Sequence, residues 1–120
     1  MRPKIERIKN LNSKPINAIA IHNDQLRKHH IGGRIMMSKG ISNLDAARIH
    51  MIMKQIADFS NFNSSNDPYE ERDCAILEID NLSIMWKIDY YDETLDGHSP
   101  DPSNPDVTVR IMTVMLAEEY

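Results

Sequence analysis

The sequence predicts an α+β single domain in which a small antiparallel sheet, one short strand plus a hairpin, packs with three helices. Three observations carry this. Ile49, Ile52, Met53, Ile56 and Phe59 recur at helical spacing. CAILEI and LSIMWKIDY are strand-like runs separated only by Asp80-Asn81, two residues that tolerate the left-handed backbone of a tight turn. Asn104-Pro105 has the form of a helix cap followed by a first helical residue.

The elements follow in order. Residues 1–14 read as a flexible or helical arm. A first helix is expected to start near Pro15, with Ile16, Ile19, Leu26 and the intervening alanines as its apolar stripe and Gly32-Gly33 as its stop. RIMM (34–37) reads as a short strand, turned by Ser38, Lys39 and Gly40. Asn43 is the expected cap of the second, clearly periodic helix, and NFNSSNDP ends it in a loop. In the hairpin, a two-residue turn sets Ile79 against Leu82, Leu77 against Ile84 and Ala75 against Trp86, so that these residues and Ile88 line a core face. The other face would carry Cys74, Ile76, Glu78, Ser83, Met85 and Lys87. Since several of these are apolar, both faces are expected to be covered, one by each helix layer. After a proline-stiffened loop (Pro100, Pro102, Pro105) a third helix is expected, with Val107, Ile111, Val114 and Met115 on its apolar side.

Bulk properties exclude several classes. At 120 residues and 41% apolar content the chain is a single globular domain, with no run near the roughly 20 apolar residues of a membrane helix. The N-terminus MRPKIERIKN has charge but no apolar run behind it, which argues against a secretory signal. One cysteine, Cys74, forbids an internal disulfide and fits a cytoplasmic location, and its apolar neighbours suggest a core residue over a reactive thiol. Charge is uneven. Residues 1–60 hold 11 Lys/Arg and 4 Asp/Glu, a net of +7, whereas residues 61–120 hold 3 and 14, a net of −11. Either the halves neutralise each other within one fold or each offers a charged surface to a partner. The basic half lacks Tyr and Trp, so it carries no stacking platform for nucleic acid.

The hairpin register gathers charge at the end remote from its turn. Asp73 falls opposite Ile88, Arg72 opposite Asp89 as a cross-strand ion pair, and Glu71 opposite Tyr90. The resulting pole comprises Asn66, Asp67, Tyr69, Glu71, Asp73, Trp86, Lys87, Asp89, Tyr90, Tyr91, Asp92, Ser99 and Asp101. Asn and Asp in it bond local backbone readily, the tyrosines can direct hydroxyls at carboxylates, and Trp86 reads as core. Were a hard cation bound, Glu71, Asp73 and Asp89 would supply its oxygens. No HExxH, phosphate-cradling glycine loop or nucleophile motif is present, so no metal or other cofactor is expected.

HNDQLRKHHIGGRIMMSKGI (22–41), NDPYEERD (66–73), WKIDYYD (86–92), SPDP (99–102) and MLAEEY (115–120) together resemble the Domain of Unknown Function 3768 family, from about residue 16 to the C-terminus. The family pattern near NDPYGEHDFG is kept at Asn66, Asp67, Pro68, Tyr69, Glu71 and Asp73. It is changed at Glu70 (Gly), Arg72 (His), Cys74 (Phe) and Ala75 (Gly). The arginine removes the imidazole that a metal would want. The resemblance implies a small bacterial, mainly alphaproteobacterial protein, often carried on mobile elements, and implies no activity. Three functions follow as expectations. The first is a protein-binding module acting through an acidic surface, for example as an inhibitor of a nucleic-acid-handling host defence protein. The second is a metal-dependent hydrolase or nuclease built on Glu71, Asp73 and Asp89. The third is nucleic-acid binding by the basic half. Oligomeric state is open, and no membrane partner is expected.

Overall fold

A computed structural model describes residues 17–120. The arm expected at residues 1–14, and Pro15 and Ile16, lie outside the described residues. The order is helix α1 (Ala18–His29), strand β1 (Arg34–Met37), the single turn α2 (Lys39–Ser42), helix α3 (Ala46–Asp58), strand β2 (Cys74–Ile79), strand β3 (Leu82–Tyr91) and strand β4 (Val109–Leu116). The fold is α+β, and its sheet has four strands in the order β1-β4-β3-β2, mixed because β1 runs parallel to β4.

The hairpin forms in the expected register, Ala75 on Trp86, Leu77 on Ile84 and Ile79 on Leu82. Asp80 (φ 50°) and Asn81 (φ 65°) are both left-handed, as a two-residue turn that matches strand twist requires. The expected third helix does not form. Asn104 does cap, accepting from the Asp106 N–H, and Pro105 opens a turn, but the turn is 3₁₀ and stops at Val107. Thr108, Val109, Ile111, Thr113 and Val114 are β-branched and favour extended backbone. The segment then pairs along β3 on one side and β1 on the other, which makes β4 a central strand. Apolar positions at 107, 111, 114 and 115 suit a helix, yet Met112, Val114 and Leu116 at period two serve the sheet.

Two helix ends also differ from expectation. Asp45, not Asn43, caps α3 through the Arg48 N–H at 2.8 Å. His30, not Gly32-Gly33, closes α1 in a left-handed conformation, its N–H donating to the Leu26 carbonyl and the following Ile31 N–H to the Gln25 carbonyl. Gly33 is needed for close packing instead. A Cβ there would stand 2.5 Å from the Arg110 carbonyl and 2.8 Å from Leu26, so only glycine lets α1, β1 and β4 approach.

Leu26 of α1 and Ile52 and Ile56 of α3 share one core with Trp86, Ile88, Met112 and Val114. Both helices therefore serve the same side of the sheet. The expectation of a helix layer on each face fails: Ile76 is 59% and Met36 54% exposed at opposite edges of the outer face. Phe59 and Phe62 meet Trp86 edge-on at 6.3 and 6.2 Å, which places the loop after α3 over the sheet and carries the chain into Asn66–Asp73.

Candidate functional site

The turn at residues 61–73 is built from its own side chains. The Asn63 side-chain oxygen accepts from the Ser65 and Asn66 N–H groups, and the Asn66 amide accepts from Asn63 N–H while donating to the Asn61 carbonyl. Asp67 is buried, and one carboxylate oxygen accepts from the N–H groups of Glu71 and Arg72, each at 3.0 Å. That clamp holds Glu70 (φ 59°) and Arg72 (φ 53°) in the left-handed region. Glycine is the residue for which such a φ is free of strain. Asn66 and Asp67 are therefore turn-builders. Tyr69 projects 78% exposed from the turn.

The tight turn divides the charges that follow. Glu71 faces α1, where its carboxylate accepts from the Tyr90 hydroxyl at 2.8 Å. The Asn23 amide donates to the same hydroxyl at 2.8 Å and to the Glu71 carbonyl at 3.0 Å. Arg110 Nε donates to Asn23 Oδ1 at 2.7 Å, its outer nitrogen reaches the Pro102 carbonyl, and its guanidinium lies over the Tyr90 ring at 5.1 Å. Asn23 and Arg110 are fully buried. Burial pushes the Tyr90 hydroxyl up and lowers Arg110 from its ordinary value. These bonds join α1, the turn, β3, β4 and the proline-rich loop.

A second buried arginine sits one helical turn on. Arg27 donates to the carbonyls of Ile56, Ala57 and Phe59 at 2.8–3.1 Å, closing the C-terminus of α3. It also meets Asp24 at 3.0 Å and lies over Phe62 and Trp86, both at 5.3 Å. The other Asp24 oxygen takes Arg72 at 2.6 Å. The cross-strand pair expected between Arg72 and Asp89 is therefore absent: the left-handed backbone at Arg72 turns its side chain to α1, and Asp89 pairs with Lys87 on the outer face of β3. Asn23, Asp24, Arg27 and Arg110 are network positions that the sequence does not single out. Asn23 and Arg27 share a face of α1 with Leu26, and only that polar insertion in an apolar stripe marks them.

Asp73 stands apart. Its carbonyl accepts from the Ile88 N–H at 2.7 Å, extending the β2–β3 ladder by one residue. Its carboxyl is half-buried, and among the described residues no side chain donates to it or pairs with it. Burial first, then the charges of Glu71, Asp67 and Asp89, push it above the usual carboxylate range. Asp73 lines a cleft of about 420 Å³ together with Ile88, Asp89, Tyr90, Tyr91, Gly97 and His98. The rim beyond is a self-bonded loop. Asp92 Oδ1 accepts from Thr94 and from the Asp96 N–H, which lowers its carboxyl below the ordinary range. Buried Ser99 bonds Thr108 at 2.7 Å and the Asp101 N–H at 3.1 Å, and Asp101 holds Ser103.

Of the thirteen residues expected at the pole, the structure brings Asp73, Asp89, Tyr90 and Tyr91 together at this cleft. Asp92, Ser99 and Asp101 shape the adjoining loop, Glu71 belongs to the buried network, and Trp86 is core with no exposed surface. Glu71, Asp73 and Asp89 do not converge as a cation site: Glu71 is committed to Tyr90 and Asp89 to Lys87. Among the described residues no three His, Cys, Asp or Glu side chains meet in a metal-holding group. No described helix is long and apolar enough to cross a membrane. The Cys74 thiol is pushed up by burial, away from nucleophilic use.

No curated protein and no solved structure matches the chain. Residues 37–119 match the family described as protein of unknown function (DUF3768), a span that contains the turn, the cleft and the whole hairpin but leaves α1 outside.

Proposed function

We propose that this chain, which belongs to the family of proteins of unknown function DUF3768, is a binding module that takes a cationic side chain of a protein partner into the cleft at Asp73. The single observation that carries the reading is the Asp73 carboxyl, half-buried in a cleft with neighbouring carboxylates, bonded by its own backbone N–H and given no cation or side-chain donor among the described residues. A lysine or arginine from outside relieves that arrangement, and the tyrosines Tyr90 and Tyr91 offer it apolar walls.

The wider surface supports a basic partner. All three cations of residues 61–120 are engaged within the fold, Arg72 on Asp24, Lys87 on Asp89 and Arg110 in the buried network. Glu70 aside, no carboxylate of that half pairs with a cation of residues 17–60 among the described residues. The loop bearing Asp92, Glu93, Asp96, Asp101 and Asp106 thus presents its charge to solvent beside the cleft, where it steers a basic surface into contact. A nucleic-acid-handling host protein, whose basic groove is made for phosphates, is one partner of that chemistry.

The test is chemical-shift titration of the full chain with short Lys/Arg peptides, followed by capture from nuclease-treated host lysate. Saturable shifts at Asp73, Tyr91 and His98 are expected. Asp73→Asn should weaken binding about tenfold or more, the loss of one charge-assisted bond in a partly buried site. Charge reversal of Asp92, Asp96 and Asp101 should abolish protein capture. Binding that is indifferent to both changes overturns the reading.

A further inference from the structure

We infer that the free edge of β2 is a self-pairing edge, through which two copies of this chain join their sheets about a twofold axis at Ile76. The edge alone supports this, independently of the cleft.

The hydrogen-bond phase of the hairpin fixes which backbone groups are unused among the described residues. The Ile88 N–H bonds the Asp73 carbonyl, so Asp73, Ala75, Leu77 and Ile79 face β3, and Cys74, Ile76 and Glu78 point N–H and C=O groups away from the sheet. β2 is the terminal strand in the order β1-β4-β3-β2. Edges of this kind are ordinarily blunted by charged side chains, lysine above all, or by proline, a bulge or brevity. CAILEI carries one such charge, Glu78 near its turn end, and is otherwise six residues long, regular in register and centred on Ile76 at 59% exposure. The other edge, β1, is only four residues long and lies between Gly33 and Ser38.

Register selects a second copy as the occupant. Antiparallel pairing centred on Ile76 sets Ile76 against the second copy's Ile76, and Cys74 against its Glu78. All three outward residues then exchange their N–H and C=O groups with the partner strand. On the outer face of one copy, Met115, Met85 and Ile76 already form a row across β4, β3 and β2. The twofold continues it as an unbroken six-residue apolar row. Glu78 of each copy enters the row that Cys74 shares with Lys87, which puts opposite charges in one line. The neighbouring registers fail. Centring on Glu78 opposes like charges and sets Ile76 against Asp80, and centring on Cys74 sets Ile76 against Arg72.

Sedimentation of the full chain over a range of concentrations reads the assembly, and a reversible dimer is expected. Ile76→Lys should weaken it at least about tenfold, while circular dichroism stays unchanged because the side chain is exposed. In a Cys74→Ser background, Ile76→Cys should yield covalent dimers with a short bis-maleimide, and Met36→Cys, on the opposite edge, should not. A monomer at every concentration overturns the inference, as does a dimer that survives Ile76→Lys or cross-links equally through position 36. A monomer that instead takes up a peptide strand at β2 overturns it too, in favour of a foreign strand.

Discussion

Glu71 and Asp73 lie two residues apart and meet opposite fates. Glu71 is turned toward α1, where Tyr90, Asn23 and Arg110 complete a buried network that spans five segments of the chain. Asp73 stays on the cleft side with its own backbone N–H as donor and no cation or side-chain donor supplied to it among the described residues. The left-handed residue between them, Arg72, is what separates the two environments. Charged residues clustered in sequence are therefore not one site. The closed half of the pole serves the fold, and on the proposed reading the open half is where an outside group would gain most by arriving.

Removing Arg110 breaks the closed half most severely. Arg110→Ala leaves a cavity under α1 and orphans Asn23 Oδ1 and the Pro102 carbonyl, and it should cost about 3 kcal/mol in urea unfolding. Surface mutations on the rim, such as Glu93→Ala, should stay within about 0.5 kcal/mol. If the two cost the same, the division between a structural and an open half collapses. Tyr90→Phe is a finer probe of the same network. It removes one hydroxyl shared by Asn23 and Glu71 and should cost about 1–2 kcal/mol.

The two halves are not equally legible in the sequence. The hairpin register is readable because Asp80-Asn81 permits the left-handed turn and because alternation assigns each side chain to a face. That register also places Asp73 opposite Ile88 correctly. The closed half is legible only in part: the register sets Glu71 opposite Tyr90, whose hydroxyl does reach its carboxylate, but nothing local to Asn23 or Arg110 announces that they complete the network. β4 misleads for a related reason. Val107, Ile111, Val114 and Met115 satisfy a helical period, and only the partners on either side of the strand, β3 and β1, decide for extension. The expected Arg72–Asp89 pair fails because ideal strand geometry does not extend past the end of the strand, to a residue whose φ is positive.

The smallest expected effect is the most diagnostic of the open half. The Asp73 carboxyl is held above its ordinary range, so the folded protein retains this proton more tightly than the unfolded chain does. Its contribution then favours folding below the unfolded aspartate value of about 3.9 and is lost as pH rises through the folded value. At neutral pH the ionised Asp73 is a net burden, and Asp73→Asn, which keeps the shape without the charge, should be slightly more stable than the parent. The gap should close as pH falls below about 4, where both side chains are neutral. Paired urea titrations from about pH 3.5 to 7.5 would read this. A gap independent of pH would mean that the carboxyl does not feel the cleft, and a less stable Asp73→Asn at neutral pH would mean that the fold already supplies it with a partner. On the proposed reading, a carboxylate that costs the fold stability when it ionises is one whose charge a partner's cation would compensate.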